Sequence, residues 1–250
     1  MLLDINDMFA EWVTQPALIA AFLIFLGSFV QTAIGFGLAI VAAPLLILVS
    51  PDYVPAPICL VALFISILNA LKHRASVEIG GLKMALIGRV PGSIAGGVLL
   101  VMVSTELLAL WLGLLVLFAV AVSLLPFRIE PTPTRMGVAG FFSGFFGTSS
   151  AIGGPPMALL LQHQEANQLR GNLSAFFVFS SIISLIIQIP AGFFTWHHVW
   201  ISIPLIPASW LGYKLAQLTT HSLPKEKIRT GALLLCTVSG ATAVWQGLMQ

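Results

Sequence analysis

Apolar residues fill this chain in long blocks, and the polar ones gather in short clusters between them. Ten apolar segments can be drawn. The first five lie near 16–34, 37–50, 54–71, 82–103 and 107–125, the second five near 136–149, 154–163, 171–190, 198–218 and 230–248. Many approach the roughly 20 residues that a helix needs to cross a bilayer core. The segments at 37–50 and 154–163 are too short to span untilted. The pattern predicts an all-α polytopic membrane protein built from ten helical segments.

The blocks also repeat. Thr32-Ala33-Ile34-Gly35 returns as Ser150-Ala151-Ile152-Gly153, 118 positions on, and both copies interrupt an apolar stretch with glycine or proline. Pro91-Gly92-Ser93-Ile94-Ala95-Gly96 lines up with Pro207-Ala208-Ser209-Trp210-Leu211-Gly212 at an offset of 116. Both matches fit one duplication. The expected organisation is a first membrane repeat over 1–127, a linker over 128–135 with three prolines and threonines between charges, and a second membrane repeat over 136–250.

Composition narrows the class. Of 250 residues, 58% are hydrophobic and 8% are charged, whereas a soluble domain carries about 25% charged residues. The N-terminal stretch MLLDINDMFAEWV is acidic and lacks the basic start of a signal peptide, so the first apolar run is expected to be retained. No basic cluster points to nucleic acid. Cys59 and Cys236 stand singly in apolar runs with no metal or redox spacing, and are expected to be buried thiols acting as small hydrophobes.

Charge placement then selects a topology. If segments one and two of each half formed a single crossing, lysine and arginine would divide evenly between the two faces. If each pair is instead a hairpin returning to its side of origin, Lys72, Arg74, Lys83, Arg128, Arg135, Arg170, Lys214, Lys225, Lys227 and Arg229 all share one face. The positive-inside rule favours the hairpins and makes that face cytoplasmic. Both termini then lie outside with Asp4, Asp7, Glu11, Asp52 and Glu106, and the second half is inverted relative to the first. Trp12, Trp111, Trp196, Trp200 and Trp245 fall near the outer interface, where aromatic belts form.

Paired helix breaks in two halves are a pointer to a transporter's site. Here the breaks supply Gln31, Thr32, Gly35 and Gly37 from one half, and Ser149, Ser150, Gly153 and Gly154 from the other. Glycine allows close approach of a ligand to backbone, and Pro155 and Pro156 suit a helix start. Each second arm would begin at its tip, aiming free N–H groups and a positive dipole end at the cavity, which favours an anion. Gly140 and Gly144, and Gly88, Gly92 and Gly96, read better as close helix packing. Arg89 is an ionisable residue inside an apolar segment, six residues past Lys83, and either attracts the anion or snorkels to the headgroups. Its counterpart Leu205 is apolar. Asn69, Asn172 and Gln188 are expected to bond between helices, and the adjacent His197 and His198 make a poor metal pair.

With the openings GSFVQTAIGFGLAIVAAPLL and GFFSGFFGTSSAIGGPPMALLL in view, the chain resembles the TauE/SafE sulfite exporter family over essentially its whole length, the PGSIAGG stretch included. It departs from the commoner glycine triplet in its first half, where GFG stands at 35 to 37. The resemblance implies a bacterial inner-membrane permease for small anions such as sulfite and sulfonates, with the two tip motifs as substrate contacts. No HExxH, GxSxG or embedded carboxylate pair suggests an enzyme, and no cofactor or metal is implied. The expected function is secondary transport of a small anion, with an anion channel and a non-transporting scaffold subunit as rivals. The expected partners are that anion and the lipid bilayer, with a homo-oligomer left open.

Overall fold

The computed structural model describes residues 11–124, 129–219 and 225–249, and its regular elements there are all helical. Asp4, Asp7 and Arg128 lie outside the described residues, as do the side chains of Glu106, Lys225, Lys227 and Arg229. In chain order the α-helices are α1 Gln15–Ile34, α2 Leu38–Val49, α3 Ala56–Lys72, α4 Ile79–Met102, α5 Thr105–Leu124 and α6 Pro133–Ser150. They continue with α7 Gly154–Leu161, α8 Ala166–Gln188, α9 Trp196–Ser202, α10 Leu205–Thr219 and α11 Lys225–Met249. Four stretches are long and apolar enough to cross a membrane: Gln15–Ile34, Pro51–Lys72, Ile79–Met102 and Ala166–Gln188. Several shorter apolar helices accompany them, Leu38–Val49 among them.

Local chemistry sets the boundaries. Thr14 caps α1 by accepting from the Ala17 amide at 3.4 Å, and Thr132 caps α6 through the Arg135 amide at 3.4 Å. The segment expected at 198–218 is two helices instead of one. Pro204 has no amide hydrogen to continue the ladder, so α9 stops at Ser202 and α10 begins at Leu205.

The helix ends correct the repeat register. α1 ends at Ile34 and α6 at Ser150, 116 positions apart, each followed by a left-handed residue, Gly35 at φ +102° and Ala151 at φ +63°. The second arms, capped by Gly37 and Gly153, start 116 apart as well. That equals the offset of the Pro91 and Pro207 match. The TAIG and SAIG letters, aligned at 118, are therefore two residues out of step with the elements that contain them. In the second copy the chain already turns left-handed at Ala151, with the Ser150 hydroxyl accepting from the Ile152 amide at 3.3 Å.

The most extensive helix contacts are α4 with α6, α1 with α10, α5 with α11 and α3 with α8. If helices 116 positions apart are matched, the first two contacts exchange with each other and each of the last two joins matched helices. Glycine brings α4 and α6 together. A Cβ on Gly88, Gly92 or Gly96 would run into the backbone of Gly137, Phe141 or Phe145, and one on Gly140 or Gly144 into that of Ala85 or Arg89. In the equivalent contact Gly212 lies against the Phe25 carbonyl. Such close approach is how helices associate in lipid, where apolar surface gains little by leaving the solvent. The outer face of α4 fits that solvent: Ile87, Val90, Ile94 and Val98 are exposed, while Arg89, Gly92, Ser93 and Gly96 point inward.

The bundle has two chemically distinct ends. At one, Lys72 and His73 close α3 next to the start of α8, where Gly171 abuts the His73 carbonyl. At the other, Trp12 stacks on Trp200 with ring centroids 4.5 Å apart, and His197 lies 3.9 Å from Asp52.

Candidate functional site

Arg89 lies near the middle of the 24-residue helix α4, about 15 Å from its start. Its side chain is 1% exposed, so it does not snorkel to a headgroup. The guanidinium donates to the Ser143 carbonyl, to Ser143 Oγ at 3.0 Å, to the Ser180 carbonyl at 3.2 Å and to Ser184 Oγ at 2.8 Å. Its Nε has no partner, and the Phe176 ring stands 5.9 Å away. Among the described residues no carboxylate is within ion-pair reach. Burying a cation costs several kcal/mol even after relaxation. Hydroxyls and carbonyls take hydrogens from Nη1 and Nη2, leave Nε unmet and do not neutralise the charge.

Arg89 faces a cavity of about 40 Å³ where the two hairpins meet. Gln31 and Gly37 of the first hairpin line it, as do Gly153 and Gly154 of the second. Ala39 and Ile40 in the first turn of α2 line it too, so that helix opens toward the arginine. The hairpins touch directly, since a side chain on Gly154 would press on Phe36. At α7, Pro155 and Pro156 remove two of the first-turn donors, so this end contributes its dipole more than its N–H groups. A buried positive charge between two helix starts is an arrangement whose electrostatics favour an anion.

Five of the nine residues expected at the site from sequence therefore line the cavity: Gln31, Gly37, Arg89, Gly153 and Gly154. The other four do not. Thr32 accepts from Asn69 Nδ2 at 3.3 Å, and Gly35 packs on Leu173 and Arg170 of α8. Ser149 donates to the Phe145 carbonyl at 2.7 Å and accepts from Trp111 Nε1 at 3.3 Å, while Ser150 donates to the Phe146 carbonyl at 2.6 Å. The reason is that α6 stays helical through Ser150, and a serine in a last turn back-bonds to the carbonyl four residues earlier.

Sequence reasoning missed Ser143, Ser180, Ser184, Thr148 and Cys59. The serines at 180 and 184 and Gln188 stand four apart along α8, a polar stripe that periodicity could have flagged. Gln188 Nε2 donates to the Thr148 carbonyl at 3.0 Å and lies 3.7 Å from Cys59 Sγ. The interhelical bonding expected of Asn69 and Gln188 is present, whereas Asn172 bonds to residues just outside the helices, Gln164 at 3.0 Å and the Glu78 amide at 2.8 Å. Both thiols are buried in hydrophobic clusters as expected, and Cys59, packed with Ala56 and Leu185, also lines the cavity. Arg170 is a second cation turned inward, where both Nε, at 3.1 Å, and Nη2 donate to the Ala33 carbonyl at the C-terminal end of α1. That placement complements the helix dipole.

A family model described as sulfite exporter TauE/SafE matches residues 20–243. No curated protein and no solved structure matches the chain.

Proposed function

The chain belongs to the TauE/SafE sulfite exporter family, and on that premise we propose that it is a secondary transporter that exports a small anion such as sulfite or an organosulfonate. The observation that carries this reading is Arg89, a fully buried and uncompensated cation at mid-helix, facing the cavity between two helix starts. An anion bound there neutralises the charge that the fold leaves unpaired. The cavity of about 40 Å³ has room for roughly three waters at 10–15 Å³ each. That size favours an inorganic oxyanion over a sulfonate with a carbon chain.

In this reading the halves are inverted repeats that rock about the site, alternately exposing it to each side. The exchange-related contacts α4 with α6 and α1 with α10 support it. The protein sits in a bacterial inner membrane with its basic end in the cytoplasm and its termini outside.

The test is flux of labelled sulfite in proteoliposomes. Arg89→Gln is expected to lower the rate at least about tenfold, because hydrogen bonds from a charged donor are among the stronger ones. Arg89→Lys should retain part of the rate. Parental flux in Arg89→Gln would overturn the assignment.

A further inference from the structure

Thr32 and Thr148 hold the same place in the two hairpins. Each is third from the end of its first arm, 116 positions apart, and neither lines the cavity. Both are buried and tied to the central pair, α3 and α8. Thr32 Oγ1 accepts from Asn69 Nδ2 at 3.3 Å. Thr148 Oγ1 shares a hydrogen bond with Ser184 Oγ at 2.9 Å, and its carbonyl accepts from Gln188 Nε2 at 3.0 Å. The ties point to opposite ends of the molecule. Asn69 is in the last turn of α3, beside Lys72 at the basic end, and Gln188 closes α8 at the tryptophan end. Asn69 Oδ1 and Gln188 Oε1 are both buried without a partner, so each tie leaves polar capacity that a shifted arrangement can use.

We propose that Thr32 and Thr148 are the two gate latches of the transport cycle, the first closing the cavity toward the basic end and the second toward the tryptophan end. The inference rests on reading the cavity as an anion transport site. They are positioning residues that act through the hairpin arms. Ser184 links one latch to occupancy: the hydroxyl bound to Thr148 also accepts from Arg89 Nη2 at 2.8 Å. An anion that draws on the guanidinium competes with Ser184 for Nη2, and so changes the hydroxyl to which Thr148 is tied.

Cys59 lines the cavity and reports access to it. In the full-length protein carrying Cys236→Ala it is the single thiol. Its rate of reaction with 2-sulfonatoethyl methanethiosulfonate, an impermeant anionic reagent, is measured from each face in inside-out and right-side-out vesicles. Thr32→Val is expected to raise the rate about fivefold from the basic face alone, the equivalent of one hydrogen bond. Thr148→Val, which removes the Ser184 bond and leaves the Gln188 bond to the main-chain carbonyl, should raise it by a smaller factor from the opposite face alone. Serine at either position should keep the parental rate, and alanine repeats the test should valine fail to fold. Acceleration from the same face by both variants, from both faces alike, or by neither variant would overturn the latches. A protein that moves no labelled sulfite but keeps opposite sidedness refutes sulfite as the cargo and supports the latches. Normal sulfite flux without sidedness removes the latches alone.

Discussion

Arg89 sets function against stability within one side chain. Its hydrogen-bond partners Ser143 and Ser184 are hydroxyls that can turn to other acceptors, whereas its charge has no counterpart among the described residues. Burying a cation without a counter-charge costs several kcal/mol, a cost that an apolar side chain of similar volume does not carry. Arg89→Met is therefore expected to melt at or above the parental temperature in detergent while losing anion flux. A clear drop in melting temperature would mark the arginine as a structural strut. Sequence singled Arg89 out because an ionisable residue in an apolar run stands alone. The serines that hold it did not stand out, since Ser143 and Ser180 lie among the many small polar residues that helices in lipid tolerate. Ser149 and Ser150 show the converse: their motif suggested ligand contacts, and the helix carries on through them and takes their hydroxyls for its own carbonyls.

Helix α4 shows at the scale of one element how position decides what a glycine does. Gly92 lies against the Phe141 carbonyl, and backbone cannot step aside as a flexible side chain can. Gly92→Ala is expected to cost about 1–3 kcal/mol, the range for an overpacked core. Gly81, on the same helix, faces open space. There Gly81→Ala should be neutral or stabilising by up to about 1 kcal/mol, because alanine has the higher helix propensity. Thermal unfolding of the two purified variants, followed by tryptophan fluorescence, checks the contrast, and equal shifts would contradict the seam. The glycine spacing on α4 and α6 was legible as packing before any coordinates. The break between α9 and α10 was less so, although Pro204 lies within the apolar run, because prolines are common in membrane helices and Pro91 leaves α4 unbroken.

Across the whole molecule, the two ends differ in charge in a way that sets orientation. Lys72 ends α3 and Arg74 follows it, Lys83 and Arg135 lie near the starts of α4 and α6, Arg170 is in the first turns of α8, and Lys214 is in the second half of α10. Trp12, Asp52, His197 and Trp200 meet at the opposite end. By the positive-inside rule the basic side is expected to face the cytoplasm. The helix lengths agree with hairpins that return to their own side. At 12 and 8 residues, α2 and α7 extend only about 18 and 12 Å, against about 30 Å for the hydrocarbon core. A chain with two such returns has each terminus on the side away from the basic loops. Alkaline phosphatase fused after Gln250 is therefore expected to be active in cells, and a fluorescent protein that matures only in the cytoplasm should be dark at the same position. Fusions in the linker over 130–132 should give the reverse pattern. If the C-terminal fusion fluoresced, one short arm would have to cross the membrane, and the meeting of Gly37 with Gly153 in one cavity would then need another explanation.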